Sequence, residues 1–356
     1  MKKLYIDSSS VKPLGRTLFR DGDMYLILSG TGCGFVFTGK RLDITIGCDE
    51  TTAGGEFCNK PRAAVYVNGR PVVKKVIEGS AERYTLVDSG LSGEYTVRIV
   101  KLSEAAFSIA RVSIEHDDTA RAVPVPEKKG LIEFIGDSIT CGYGVDDSNT
   151  QSAFSAEAEN AAKSYAILAA QQLLADYSLY SYSGHGFISG WTEDGTRNTR
   201  EILTPWYGSY GFSYGTVCGE KPENIPWDST LRQPDIVVVN IGTNDKSYCT
   251  FHPGAEEEFR EEYYRFLCTL RQKNPDAVII ASLGIMGDEL FPCIEEAAER
   301  FRRENDDRIY TFRFTPQNGQ LGYGSNWHPS EETHQYAAEE LAEFIKKNGI
   351  AGAENW

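Results

Sequence analysis

One serine of the chain lies where it can act as a nucleophile. Residues 131–135 form an apolar run that predicts a buried strand, and Gly136, Asp137 and Ser138 follow it directly. In proteins whose strands alternate with helices, chemistry takes place at the carboxyl ends of the strands. A serine hydroxyl is a weak nucleophile, so Ser138 needs a base within hydrogen-bond reach.

Among the five histidines, His328 is the best placed to be that base. It lies directly before the last predicted helix, where Pro329 and the helix-capping Ser330 restrict the backbone. His185 and His252 lie in loops after the second and third predicted strands, and both could approach the site. We therefore expect Ser138 and His328 to form the reactive pair.

Attack of a serine on an ester carbonyl builds negative charge on the carbonyl oxygen, which hydrogen-bond donors must stabilise. Gly184 follows the second strand and can present its backbone N–H without a side chain in the way. Asn244, within Gly-Thr-Asn-Asp after the third strand, can aim its amide group into the same space. Both residues are candidates for an oxyanion hole.

The elements that must position these residues begin after a proline-containing linker at 123–130. Apolar strands are predicted at 131–135, 236–241 and 277–281, and helices at 161–175, 257–272, 295–303 and from Ser330 to near Gly349. Strands that alternate with helices in this way predict a three-layer α/β/α domain with a parallel sheet, spanning residues 126–356.

Residues 1–125 have a different pattern. Short alternating runs such as 42–46, 64–67 and 95–100 predict strands, and the turn pair Asn68-Gly69 is typical of a hairpin. We find no convincing long helix pattern there. This part of the chain is expected to be a small all-β sandwich of the jelly-roll type.

Composition narrows the range of partners. The 356 residues carry a formal charge of −15, which disfavours nucleic acid and anionic membrane surfaces as partners. Lys2 and Lys3 are not followed by the apolar segment of a signal peptide. A cytoplasmic protein without a membrane span is therefore expected, or a secreted one if a signal segment has been removed from this sequence. The eight cysteines include no C-x-x-C pair, so we expect free thiols, no metal site and no cofactor.

Four short stretches of the sequence occur in an order that resembles the SGNH, or GDSL-type, hydrolase superfamily. They are Gly136-Asp137-Ser138, Gly184, Gly242-Thr243-Asn244-Asp245 and Trp327-His328-Pro329. The resemblance implies that Ser138 is the nucleophile and His328 the general base. It also implies that the N–H groups of Ser138 and Gly184 and the side chain of Asn244 form the oxyanion hole.

A β domain placed before an SGNH domain is similar to carbohydrate esterase family two, and so is the tryptophan before the histidine. This narrower resemblance implies removal of O-acetyl groups from xylo-, manno- or gluco-oligosaccharides through an acetyl-enzyme intermediate. Because aromatic faces pack well against sugar rings, tryptophans are the first candidate substrate contacts. The candidate substrate contacts are three tryptophans, Trp327, Trp191 and Trp206, together with Asp137, which directly precedes Ser138.

One departure from the superfamily pattern concerns the acid of the usual triad. The residue three positions before the histidine is Ser325 and the one two positions before is Asn326, and neither can supply a carboxylate. The acid normally orients the imidazole and stabilises its cation. We therefore expect a Ser-His dyad, with Asn326 or a main-chain oxygen orienting His328.

Two alternatives remain at this stage. A lipase- or thioesterase-like SGNH hydrolase would need an apolar tunnel for a long acyl chain. A catalytically weak carbohydrate-binding protein would keep the site but not the chemistry, and the missing acid is compatible with it. The oligomeric state, the sugar and the hydroxyl that carries the ester are not predicted.

Overall fold

The computed structural model describes residues 1–104 and 106–356. It divides into two compact units. The first comprises residues 1–127, 154–161 and 209–227, and the second comprises 128–153, 162–208 and 228–356. The two later segments of the first unit lie within the range assigned from sequence to the catalytic domain. They carry no strand or helix periodicity that would assign them to either unit.

The first unit is an antiparallel β-sheet domain, as predicted. Its central strands are long: β5 pairs with β8 over almost its whole length, and the register shifts near Gly39 and Leu42. Inward-facing side chains such as Phe35, Val97 and Ile99 are fully buried. The strands are β1 (Lys2–Lys3), β2 (Lys12–Leu14), β3 (Leu18–Arg20), β4 (Asp23–Leu26), β5 (Gly32–Cys48), β6 (Arg62–Val67), β7 (Arg70–Val76), β8 (Glu82–Lys101), β9 (Ala110–His116) and β10 (Arg121–Pro124).

The second unit contains a parallel five-stranded sheet with flanking helices, again as predicted. Its strands, in the spatial order β12-β11-β13-β14-β15, are β11 (Leu131–Gly136), β12 (Asp176–Ser181), β13 (Ile236–Asn240), β14 (Val278–Leu283) and β15 (Ile309–Arg313). Its helices are α1 (Ser138–Cys141), α2 (Tyr165–Gln172), α3 (Thr243–Cys249), α4 (Ala255–Lys273), α5 (Phe291–Glu304) and α6 (Glu331–Lys347). No helix in the described part of the chain is long and apolar enough to cross a bilayer.

The helix bounds follow the apolar spacing. On α4, buried residues at positions 259, 263, 266, 267 and 270 form the three-to-four residue stripe of a helix packed on one face. The stretch predicted as one helix at 161–175 is a 3-10 turn, Ala161–Lys163, followed by the shorter α2. The strand β15 was not predicted.

The parallel register brings the important loops to one edge of the sheet. Gly136, at the end of β11, pairs with Ser181 of β12 and with Asn240 of β13. The three strands therefore end at the same level, and the residues that follow them emerge side by side. This edge is where Ser138, Gly184 and Asn244 lie.

Candidate active site

The candidate nucleophile, Ser138, lies at the first position of α1, in a turn ordered by its neighbour. Asp137 is the N-cap residue, and its Oδ1 accepts a hydrogen bond from the N–H of Ile139 at 3.0 Å. Such a cap satisfies one of the free N–H groups at the start of a helix. The exposed fraction of Ser138 is only 8%, so its hydroxyl lies in a sheltered position immediately beyond β11.

His328 contacts Ser138 directly. Its Nε2 lies 2.8 Å from Oγ of Ser138, and its Nδ1 lies 3.1 Å from the backbone carbonyl oxygen of Asn326. A carbonyl oxygen can only accept, so Nδ1 carries the proton and the lone pair of Nε2 faces the serine hydroxyl. This is the tautomer that a general base for Ser138 requires.

The imidazole is held in its neutral form. Burial lowers the pKa of His328 to about 4, while the backbone hydrogen bonds from the ring to Asn326 and Ser325 act in the opposite direction. Because burial makes the charged form of the imidazole costly, His328 is neutral at pH 7. The lone pair of its Nε2 is therefore available to accept a proton. A neutral base is therefore present at rest.

A carboxylate does not take part in this arrangement. Among the described residues, none hydrogen-bonds to His328 through a carboxylate. The position three residues earlier is occupied by Ser325, which is fully buried and whose Oγ has no hydrogen-bond partner. The side chain of Asn326 is exposed, and its backbone is left-handed with φ of 50°. The main-chain oxygen therefore faces the ring while the amide side chain faces solvent.

Asn244 lies between the nucleophile turn and the loop that follows β12. Its Nδ2 donates to the carbonyl oxygen of His185 at 2.8 Å and lies 3.4 Å from Oδ2 of Asp137. Gly184 has φ of 75°, and its N–H donates to no described acceptor. Gly184 and Asn244 follow strands that end level with β11, so a backbone N–H and a side-chain amide, the kinds of donor that an oxyanion hole needs, lie at the same edge of the sheet as Ser138.

The loop that carries Gly184 is anchored by a residue that sequence reasoning left without a role. Oδ1 of Asp245 accepts hydrogen bonds from the N–H groups of Phe187, Ile188 and Ser189 at 2.8, 2.7 and 3.3 Å. Burial raises the pKa of Asp245 to about 6, and the backbone donors counteract this effect. Burial also raises the pKa of Asp137 to about 7, with a smaller contribution from the charge of Asp245.

The candidate substrate contacts differ in accessibility. Trp327 and Trp191 are 52% and 56% exposed, so their faces are available to a ligand. Trp206 is half-buried and packs edge-on against Tyr182 and His185. Asp137 is 1% exposed, so its geometry supports a role in ordering the nucleophile turn and gives no support to contact with a sugar.

The two alternative histidines make other contacts. Nδ1 of His185 lies 2.9 Å from the carbonyl oxygen of Ser183, and Nε2 of His252 lies 2.8 Å from that of Gly195. Neither ring hydrogen-bonds to Ser138. Of the three candidates, His328 is the one that the structure brings to the nucleophile.

A parallel sheet that presents such a serine and histidine together with an asparagine at its carboxyl edge is the scaffold of an SGNH-type hydrolase. The chain belongs to the GDSL-like lipase/acylhydrolase family, whose model matches residues 134–336. The carbohydrate esterase 2 N-terminal model matches residues 14–126, which lie in the antiparallel β domain.

Individual relatives agree with this assignment. A cellulase/esterase, CelE, from Acetivibrio thermocellus is 32% identical over 333 residues, which cover 89% of this chain and 37% of that longer protein. An acetylxylan esterase/glucomannan deacetylase from Cellvibrio japonicus is 25% identical over 350 residues, covering 95% of this chain and 88% of the relative. The solved structure of an acetyl xylan esterase from the rumen bacterium Butyrivibrio proteoclasticus superimposes with a TM-score of 0.85 at 25% identity, over 98% of each chain.

Proposed function

We propose that this protein is a serine esterase that removes O-acetyl groups from carbohydrates by a Ser-His dyad. The observation that carries the proposal is the 2.8 Å contact between Nε2 of His328 and Oγ of Ser138 at the carboxyl edge of the sheet. The relatives named as acetylxylan esterases and glucomannan deacetylase support an acetylated sugar as the substrate.

In the first half of the reaction, Nε2 of His328 removes the hydroxyl proton of Ser138 as Oγ attacks the acetyl carbonyl carbon. The negative charge that develops on the carbonyl oxygen is stabilised by the N–H groups of Ser138 and Gly184 and by Nδ2 of Asn244. The bond to the sugar oxygen then breaks, and His328 returns its proton to that oxygen. The free sugar hydroxyl leaves, and the acetyl group remains on Ser138.

In the second half, a water molecule replaces the sugar. His328 removes a proton from the water as its oxygen attacks the acetyl-enzyme, and the same donors stabilise the second tetrahedral intermediate. Collapse of that intermediate returns the proton to Oγ of Ser138 and releases acetate. The carbonyl oxygen of Asn326 keeps Nδ1 protonated throughout, which holds Nε2 in line with the nucleophile.

Two exposed tryptophans support a sugar as the group that leaves. Trp327 adjoins the base, and the backbone N–H of Trp191 donates to the carbonyl oxygen of Gly184 at 2.8 Å. The backbone of each tryptophan is thus linked to a residue proposed to act in catalysis. Large aromatic faces of this kind pack against the apolar faces of sugar rings. We propose that they hold the sugar whose ester faces Ser138.

The direct test measures acetate released from acetylated xylan, glucomannan and acetylated oligosaccharides by the wild type and by Ser138→Ala. We expect release by the wild type and a loss of at least about 10³-fold in the variant, which keeps only the oxyanion donors. Equal release by both proteins would refute a reaction at Ser138. No release by the wild type together with retained sugar binding would favour a carbohydrate-binding protein.

A second comparison separates this function from a lipase or thioesterase. The rates of hydrolysis of 4-nitrophenyl acetate and 4-nitrophenyl decanoate are measured with the same enzyme. We expect the acetate to be preferred. A strong preference for the decanoate would assign the site to long acyl chains and would contradict the carbohydrate proposal.

A further inference from the structure

The imidazole of His328 is covered on one face by an aromatic ring. The rings of Tyr143 and His328 are stacked, with centroids 3.9 Å apart and planes inclined by 24°. Tyr143 is 7% exposed, so the contact is sheltered from solvent. The hydrogen bonds of Nδ1 and Nε2 lie in the plane of the imidazole, so they do not account for a ring stacked on its face.

The backbone that carries Tyr143 links the nucleophile to the segment of the base. The N–H of Tyr143 donates to the carbonyl oxygen of Ser138 at 3.1 Å, and the carbonyl oxygen of Gly144 accepts from the N–H of Ser325 at 3.1 Å. Gly144 has φ of 69°, and a Cβ at this position would lie 2.4 Å from Oγ of Ser325. Only glycine permits this close approach, so the backbone at and after Tyr143 is bonded both to Ser138 and to the segment that leads into His328.

We propose that Tyr143 is a positioning residue that takes over part of the role of the absent carboxylate, by fixing the plane of the imidazole and stabilising the imidazolium formed during catalysis. This inference rests on the proposed function. The face of an aromatic ring carries negative electrostatic potential and attracts a cation above it, most strongly when both are desolvated. During each proton transfer from Ser138 or water, His328 becomes such a cation.

The surroundings of His328 leave few other groups for this task. Among the described residues, the side chains that interact with it include the hydroxyl of Ser138 from α1 and two titratable groups, Tyr143 from the turn after α1 and His334 from α6. Burial lowers the pKa of His334 to about 3, so it carries no compensating charge at neutral pH. The backbone groups of Asn326 and Ser325 supply dipoles that favour the cation, and the face of the Tyr143 ring adds to them.

The test compares Tyr143→Phe, which keeps the aromatic face, with Tyr143→Leu, which fills similar space without it. We expect Tyr143→Leu to lower kcat for an acetylated substrate by about tenfold with little change in KM, in the range of one sheltered cation–π contact. The phenylalanine variant should recover most of that loss. The half-buried Tyr310 lies in β15 and packs against Phe344, so Tyr310→Leu is a control for removal of a tyrosine ring that does not contact His328.

The pH profile of kcat/KM distinguishes this role from simple packing. If the ring stabilises the cation, its loss in Tyr143→Leu lowers the pKa of His328 and moves the acid limb to lower pH. If Tyr143 only excludes water, the gap admits water, and the limb moves to higher pH. Equal kcat in the phenylalanine and leucine variants, or an upward shift of the limb, would overturn the proposal.

A second experiment covers the case in which Tyr143→Leu does not fold. Phenylalanine analogues of increasing ring fluorination, placed at position 143, weaken the negative face of the ring while they keep its shape. We expect log kcat to fall steadily with fluorination, and a flat series would contradict the proposal.

A fluorophosphonate provides a readout independent of the acetylated sugar, because Oγ of Ser138 displaces fluoride from phosphorus with the help of His328. Reaction of the wild type with this probe, without acetate release from any sugar, would refute the proposed substrate. The effect of Tyr143 would still be measured by the rate of that labelling reaction across the same variants. The two proposals can therefore fail separately.

Discussion

The backbone carbonyl oxygen of Asn326 lies 3.1 Å from Nδ1 of His328, in the place where triad hydrolases have a carboxylate. This partner carries a dipole but no charge. It can orient the ring, because it accepts the hydrogen bond of Nδ1 that a carboxylate would otherwise accept. It stabilises the imidazolium less, which is why the surroundings of the ring become important.

The first prediction concerns the side chain of Asn326. Because that side chain is exposed and the carbonyl oxygen makes the contact, Asn326→Gly should change kcat/KM by less than about threefold. Glycine also tolerates the φ of 50° at this position, whereas Asn326→Ala should lose about 1 kcal/mol of stability through backbone strain. Kinetics and thermal unfolding measure the two effects. An Asn326→Gly variant as inactive as His328→Ala would mean that the side chain acts in catalysis.

The second prediction concerns restoring an acid. Ser325→Asp places a carboxylate at the usual triad position, but Ser325 is fully buried against the backbone of Gly144. An unpaired buried charge is costly, so we expect a loss of several kcal/mol in the free energy of unfolding and no gain in kcat. Chemical denaturation and acetate release check the two parts. A stable variant with raised kcat would show that the site accepts a triad.

The third prediction concerns pH. The pKa of His328 is lowered to about 4, and the base must be unprotonated to act. We therefore expect kcat/KM to stay level from pH 7 down to about 5 and to fall as pH decreases through the region of that pKa. Tryptophan fluorescence would verify that the protein remains folded there. An acid limb at the ordinary histidine value of about 6.5 would contradict the burial argument.

A control distinguishes the titration of His328 from that of Asp137 in the pH profile of kcat/KM. Burial raises the pKa of Asp137 to about 7, so its titration falls above that of His328. Asp137→Asn removes that titration and keeps the side-chain shape. An inflection between pH 6 and 7 that disappears in this variant belongs to Asp137, and one that persists does not.

The fourth prediction concerns Asn244, the proposed oxyanion donor. Asn244→Ala should lower kcat by about 10²- to 10³-fold with a small effect on KM, since the donor acts mainly in the transition state. Asn274→Ala is a matched control, because Asn274 is also buried and donates from Nδ2 to the hydroxyl of Tyr207 at 2.9 Å, outside the site. A similar loss of kcat in both variants would indicate a general structural effect and no specific catalytic role.

The fifth prediction concerns the exposed tryptophans. Trp327→Ala and Trp191→Ala should each raise KM for acetylated oligosaccharides by roughly tenfold, in the range of a lost aromatic contact, and leave KM for 4-nitrophenyl acetate almost unchanged. Tyr336→Ala removes another exposed aromatic ring, on α6, and serves as the control. Equal effects on both substrates would show that the tryptophans support the site without binding sugar.

Much of the scaffold was predictable because its elements follow simple periodicities. The buried strand β13 is a continuous apolar run, and α4 has an apolar stripe, so both were predicted from the sequence within two residues of their bounds. The segments 154–161 and 209–227 have no such pattern, and their place in the first unit depends on contacts distant in sequence.

The sequence alone determined the types of residue available for chemistry: a serine after a strand, a histidine before a helix, and no acid at either usual position. Only the tertiary structure decided how they are used. Every residue has a carbonyl oxygen, so the partner of Nδ1 follows from the left-handed backbone of Asn326 and not from its identity. The stacking of Tyr143 on His328 likewise joins positions far apart in the chain, and no local pattern encodes it.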